Sequence, residues 1–276
     1  FIVMSIPDFV VPDASPETRN IVGILRSDPK IIVSFLKSRS LVKKLEEIFG
    51  GKPIHSAFVI PGGVSRRITR DDVEEARKLA RELLGIIEYT VEYFNNRVLK
   101  SSVFEKLLYD EAYMLKTYYM GLIGRNGSLE FYDGDLRIVD PSGREYARFK
   151  PVDYTKYIAE HSVEWSYSKL PYLKPIGWKG FVEEAIVRVG PLARLNVVDK
   201  VPSEKASNLY GLLLDFYGEK PIHNTIAYHW ARVIEIMYSI EKILENLCDP
   251  DLLSRDIVNL EGEPVYEGVG AIEAPR

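Results

Sequence analysis

Four places in the sequence set a cation beside a constrained backbone: Pro61-Gly-Gly-Val-Ser-Arg66, Lys169-Leu-Pro171, Gly190-Pro-Leu-Ala-Arg194 and Ala274-Pro275-Arg276. A guanidinium taken out of water needs an anionic partner, because leaving it unpaired costs several kcal/mol. Each of the four, taken singly, reads as a structural ion pair. Together they are compatible with fixed positive charge gathered around an anionic cofactor. The closing stretch, Glu267 to Arg276, reads as a strand that delivers Arg276, with Pro275 fixing the backbone torsion just before it.

Other chemistry-bearing residues are sparse. The four histidines stand at 55, 161, 223 and 229. Six helical steps of about 100° put His223 and His229 on nearly opposite faces, which argues against a shared metal. His55 reads as a hydrogen-bonded core or interface histidine, since no second histidine or acid stands near it. Cys248 is the single cysteine, so it makes no internal disulfide and no thiolate metal site, and it reads as a small, partly buried side chain. Asp133-Gly-Asp135 lacks the later ligands of a calcium loop. No serine-histidine-aspartate signature, dinucleotide fingerprint or phosphate loop is present, so the residues alone form no self-sufficient active site.

Composition narrows the class. The chain has 276 residues, 46% hydrophobic and 28% charged, enough apolar content for a large core. A net charge of -4, with basic residues scattered singly or in pairs, argues against a nucleic-acid partner. No run of eighteen apolar residues is present, and Phe1-Ile-Val-Met-Ser lacks a signal peptide's basic flank; we therefore expect no membrane span and a cytoplasmic location. The missing initiator methionine leads us to expect a window of a longer chain.

The elements that must position these residues follow from periodicity. Ser15-Pro16-Glu17 reads as a helix start, and Asp28-Pro29 restarts a helix that Gly50-Gly51 ends. Residues 52–64 read as an extended, buried connection. Thr69 caps a long helix to about Arg97, and a second helix is expected from Ser101 to about Tyr118. Between 121 and 150, three runs at 128–132, 136–140 and 146–150 predict an antiparallel meander. A helix is expected from Pro151 to about Ser162, and the aromatic and proline-rich stretch 165–178 reads as a loop that plugs something. Ile186 to Arg194 reads as strand, Gly-Pro turn and helix; Ser203 to Tyr217 and His223 to Cys248 are helical. The expected fold class is α+β, predominantly α-helical, as a single core over 1–276 with a small antiparallel sheet insertion.

The order and spacing of six motifs resemble the large subunit of nickel-iron hydrogenases. They are Pro7-Asp-Phe9, Ile54-His55 through Pro61-Gly-Gly63, Ser166-Tyr-Ser-Lys169-Leu-Pro171, Val189-Gly-Pro-Leu-Ala-Arg194, His223-Asn-Thr through Tyr228-His-Trp-Ala-Arg232, and Glu267-Gly-Val-Gly through Glu273-Ala-Pro-Arg276. The wording of the histidine segments is most similar to the cytoplasmic, cofactor-coupled branch, including viologen-reducing enzymes of archaea. The resemblance implies a hydrogenase large-subunit-like fold and a nickel-iron centre with diatomic ligands, held by two Cys-x-x-Cys pairs that would lie before Phe1 and after Arg276. No metal ligand is therefore assigned to any residue here. It also implies that Arg276, with Pro275 beside it, overhangs the metals as an electrostatic anchor, with proton acceptance a secondary role. Glu160 and Lys169 would lie around a magnesium site.

The implied reaction is reversible heterolytic cleavage of dihydrogen, with electrons passed to an iron-sulfur small subunit, then to further electron-transfer subunits. The 276 residues alone are expected to be inactive. A metal-free, quinone-pocket or interaction subunit related to respiratory complex I is the alternative, and Cys-x-x-Cys in the flanking sequence would discriminate the two. A plain helical interaction protein leaves the six motifs unexplained.

Overall fold

Thr69 and Asp72 start the most regular element of the chain by each accepting a hydrogen bond from the other's backbone amide, a capping box that opens the helix Arg70–Tyr93. The computed structural model describes residues 6–11, 13–263 and 266–272. Their order is α1 (Ile6–Val10), α2 (Ile21–Ser27), α3 (Pro29–Gly50), β1 (Val59–Ile60), β2 (Gly63–Val64), α4 (Arg70–Tyr93), α5 (Ser102–Tyr109), β3 (Tyr118–Ile123), β4 (Asp135–Val139), β5 (Glu145–Phe149), α6 (Tyr154–Tyr157), β6 (Ile158–Val163), β7 (Ser166–Leu173), β8 (Val187–Arg188), α7 (Pro191–Val197), α8 (Glu204–Tyr217) and α9 (Ala227–Asn246). The expected class, mainly helical with a small sheet, is what forms. By compactness the described residues fall into two units, 6–106 with 236–263 and 107–235 with 266–272.

In the first unit α3 and α4 pack along buried Ile31, Ile32, Leu41 and Leu45 on one and Ala76, Ala80, Leu83 and Ile87 on the other. Small Ala76 and Ala80 at i, i+4 let the helices approach. Phe104 meets Phe9 and Phe94 edge to face, with ring centroids 4.8 and 5.9 Å apart.

The second unit is built on a four-stranded sheet in the order β5-β4-β3-β8, antiparallel except for the β3–β8 pair. Tyr119 and Ile123 of β3 are fully buried, and Gly121 between them sits where a Cβ would meet Val197 at 2.9 Å and the Arg194 backbone at 3.1 Å. The missing side chain is what lets α7 lie on the sheet. β6 and β7 form a separate two-stranded hairpin, whose Leu173 joins Ile138 and Phe149 in a small core.

Several expected elements differ. No helix starts at Ser15; its carbonyl accepts from Thr18 and Arg19 to close one turn, and Asn20, whose side chain accepts from the amides of Val22 and Gly23, caps α2 instead. Residues 52–64 are mostly exposed, Val59 being 81% accessible, and carry only the β1–β2 hairpin. The second helix stops at Tyr109, because Asp110 caps a new short turn and Tyr118, whose amide donates to Ile186 O, goes on to pair with Val187 in the sheet. The meander exists, yet its first strand is 118–123 and not 128–132, since Tyr119, Gly121 and Ile123 place a buried face there. After Pro151 only a turn and the short α6 precede β6, and the stretch expected to be a plug is largely regular strand, with Pro171 opposite Glu160. No strand forms over the described residues 266–272.

Candidate functional site

Gly190 and Pro191 decide how the second unit presents Arg194. Gly190 has φ 96°, a torsion L side chains rarely adopt, and Pro191 is pre-set for the first position of α7. Arg194 follows one turn later. Its Nε and Nη2 donate to Glu235 Oε1 and Oε2 at 2.6 Å each, with the two side chains only 11% and 8% exposed, and Phe131 lies 5.3 Å from the guanidinium. This is the two-pronged match between planar groups that favours arginine over lysine.

The other end of α7 is held by cations, which suits the negative end of a helix dipole. Arg137 donates to Val197 O and to Asp199, both at 2.8 Å. Lys220 donates to Val198 O at 2.6 Å and to the Tyr210 hydroxyl at 2.7 Å. Burial pushes the Lys220 ammonium down to about 8, against the opposing pull of Asp199. Asn196, within the helix, exchanges two hydrogen bonds with the Ile222 backbone.

A second, partly buried polar cluster forms around Arg188 on β8. Its Nε donates to Thr117 Oγ1 at 2.9 Å, its Nη1 to Thr225 Oγ1 at 3.3 Å, and its Nη2 to the carbonyls of Leu115 and His223 and to the Tyr119 hydroxyl. Every one of these partners is neutral. The guanidinium also lies 4.8 Å from the Tyr119 ring centroid. His223 Nδ1 is 2.9 Å from the Tyr119 hydroxyl and its Nε2 is 3.0 Å from Pro141 O. Burial, then Arg188, lowers the imidazole's proton affinity, while the same burial raises the Tyr119 phenol to about 12.

The residues singled out from the sequence are distributed as follows. Arg194 has the carboxylate partner its burial demanded, and Arg66 pairs with Asp72 at 3.2 Å. Glu160 and Lys169 share the β6–β7 hairpin and are both exposed; Lys169 Nζ donates to Ser162 Oγ at 2.7 Å. Pro275 and Arg276 lie outside the described residues. His55 is not in a core, being exposed on this chain with φ 55°. His161 stacks on Trp178 with centroids 4.2 Å apart. His223 precedes α9 while His229 lies in it, and burial takes His229 down to about 4. Cys248 is exposed, its thiol donating to Leu244 O at 3.4 Å, in place of the partly buried position expected.

Sequence patterning does not single out Arg188, Tyr119, Asn196 or Glu235. Glu235 has a readable signal, a single acid inside the apolar run Val233-Ile-Glu-Ile-Met237 of a buried helix. The others have none, because each is specified by partners far away in the chain.

Among the described residues no group of three or more histidine, cysteine, aspartate or glutamate side chains is placed to hold a metal ion. With one exposed thiol and scattered histidines, these residues do not fit a nickel-iron ligand set, and no carboxylate cage for magnesium forms around Glu160.

The sequence is 41% identical over 278 aligned residues to an F420-non-reducing hydrogenase iron-sulfur subunit of Archaeoglobus profundus, covering 99% of this chain and 57% of that protein. It is 38% identical to an F420-non-reducing hydrogenase vhu subunit of Methanococcus voltae, covering 100% of this chain and 64% of the relative. Among solved structures, an NAD+-reducing NiFe-hydrogenase in the H2-reduced state superposes with a TM-score of 0.88 at 29% identity, over 100% of this chain and 59% of that one. No family model matches the sequence. The chain thus spans little more than half the length of these proteins, and along all of its own length it is similar in sequence to these hydrogenase subunits and in fold to a NiFe-hydrogenase chain.

Proposed function

We propose that the chain is the catalytic-subunit core of a nickel-iron hydrogenase, which cleaves dihydrogen reversibly and heterolytically and passes electrons to an iron-sulfur small subunit. The observation that supports this reading best is the end-to-end match to an NAD+-reducing NiFe-hydrogenase at a TM-score of 0.88. The thiolates of such a centre must come from residues other than these 276, which hold one cysteine. What these residues supply is a rigid frame: the Gly190-Pro191 turn, Arg194 locked on Glu235, and cations at the far end of α7. Arg276 is proposed as an electrostatic anchor at the reaction centre, with Pro275 restraining it, and Glu160 and Lys169 as neighbours of a magnesium ion.

A cytoplasmic location belongs to the same reading; no helix among the described residues is long and apolar enough to cross a membrane. The test uses the native complex with its partner subunits. Elemental analysis should find nickel and iron, and dihydrogen-dependent dye reduction should collapse in Arg276→Lys. A complex without nickel would sink the assignment, and normal turnover in the variant would remove the anchoring role.

A further inference from the structure

The Tyr119–His223–Arg188 cluster has a hydrogen-bond inventory that closes in two different ways. Pro141 O can only accept, so the His223 Nε2 that faces it at 3.0 Å carries a hydrogen. The Tyr119 hydroxyl has one hydrogen and two acceptors in range, His223 Nδ1 at 2.9 Å and Ile222 O at 3.0 Å. Arg188 fills one lone pair of the phenol oxygen by donation. With the imidazole neutral, the phenol donates to Nδ1, and Ile222 O keeps its bond from Asn196 Nδ2. With Nδ1 protonated, Nδ1 donates to the phenol oxygen, whose own hydrogen turns to Ile222 O. Neither arrangement leaves a buried polar atom unmatched, so a proton enters without breaking the cluster.

We infer that Tyr119, Arg188 and His223 form a proton-binding site, in which His223 Nδ1 takes up one proton while the Tyr119 hydroxyl swings from Nδ1 to the Ile222 carbonyl. The charge balance is simple: the site gains one positive charge and releases none. What limits occupancy is burial first, which the Pro141 carbonyl opposes, and then neighbouring charge. Arg188 on β8 and exposed Lys116 just before β3 both oppose the imidazolium. In the turn that carries Pro141, Asp140 is engaged with Arg144 and Ser142. No ion pair to Arg188 forms among the described residues, so its charge is not cancelled. The site therefore stays empty at neutral pH and fills only below the ordinary histidine range. It stands independently of the hydrogenase reading, because it rests on the hydrogen bonds, burial and charges around His223.

The test is nitrogen NMR of the intact protein, labelled with 15N-histidine, with the His223 resonance assigned from His223→Gln. At about pH 8 the ring should be the neutral tautomer with hydrogen on Nε2, and acid should protonate Nδ1 with a midpoint below the ordinary histidine value of about 6.5. Arg188→Gln, which keeps donors and removes the charge, should raise the proton affinity about threefold or more, and Lys116→Gln should raise it less. A tautomer with hydrogen on Nδ1 at pH 8, a folded protein whose His223 never takes a second hydrogen, or an unchanged midpoint in Arg188→Gln would each overturn the proposal. The first two readings use the unaltered protein and so survive a misfolded variant.

Discussion

Arg194 and Glu235 show how much a single buried pair commits a fold to one arrangement. Removing one member strips the other buried charge of its two-pronged partner, at a cost of about 3–5 kcal/mol. Glu235→Ala should therefore lower unfolding stability by that order in urea titrations, and Arg194→Met combined with Glu235→Met should recover much of the loss. If the double variant is no better than the single ones, the pair is not the source of the cost. Histidine burial makes a second prediction. His229 is held near 4 in the folded state, first by burial and then by Arg232, against about 6.5 unfolded. Its folded value is depressed, so below 6.5 the unfolded chain takes up a proton that the folded one refuses. The His229 contribution to stability should then be constant above pH 6.5 and fall progressively toward pH 4, by an amount on the order of 3 kcal/mol. His223 adds to the same slope in the same direction. A pH series of thermal melts for the protein and for His229→Gln should show the slope flattening in the variant.

At the level of elements, two local devices carry more than their size suggests. Gly121 on β3 faces the backbone of α7 with no room for a methyl group, and Gly121→Ala places that carbon against Val197 and Arg194. Overpacking of this kind costs about 1–3 kcal/mol. Because α7 carries Arg194, the variant should also loosen the Glu235 pair, which hydrogen exchange on the amides of α7 would reveal. Unchanged protection there would show that the sheet yields instead. Thr69 starts α4 through the reciprocal bonds with Asp72, and Thr69→Ala should cost about 1 kcal/mol in the same denaturation assay. The β6–β7 hairpin is a contrasting case. It pairs only with itself, and Trp165 and Tyr167 at its outer end are fully or mostly exposed.

For the whole molecule, the decisive property is what 276 residues hold and what they do not. One exposed thiol and no clustered ligands among the described residues give a nickel ion nothing tight to bind. The 276-residue chain, purified from nickel-containing medium, should retain no stoichiometric nickel by elemental analysis; one equivalent resistant to dialysis would contradict that. The sequence by itself determined the long helices α3, α4, α8 and α9, the Gly190-Pro191 turn and the family likeness. Caps, periodicity and turn torsions act within three or four residues, so a linear reading captures them. Tertiary structure alone decided that Tyr118–Ile123 is a strand, that the aromatic stretch after Trp165 is a hairpin arm, and that His55 and Cys248 face outward. It also chose Glu235 for Arg194 across 41 residues and Tyr119 for His223 across 104. Those choices depend on which surfaces meet after the chain has closed long loops, and no local pattern of residue types encodes that meeting.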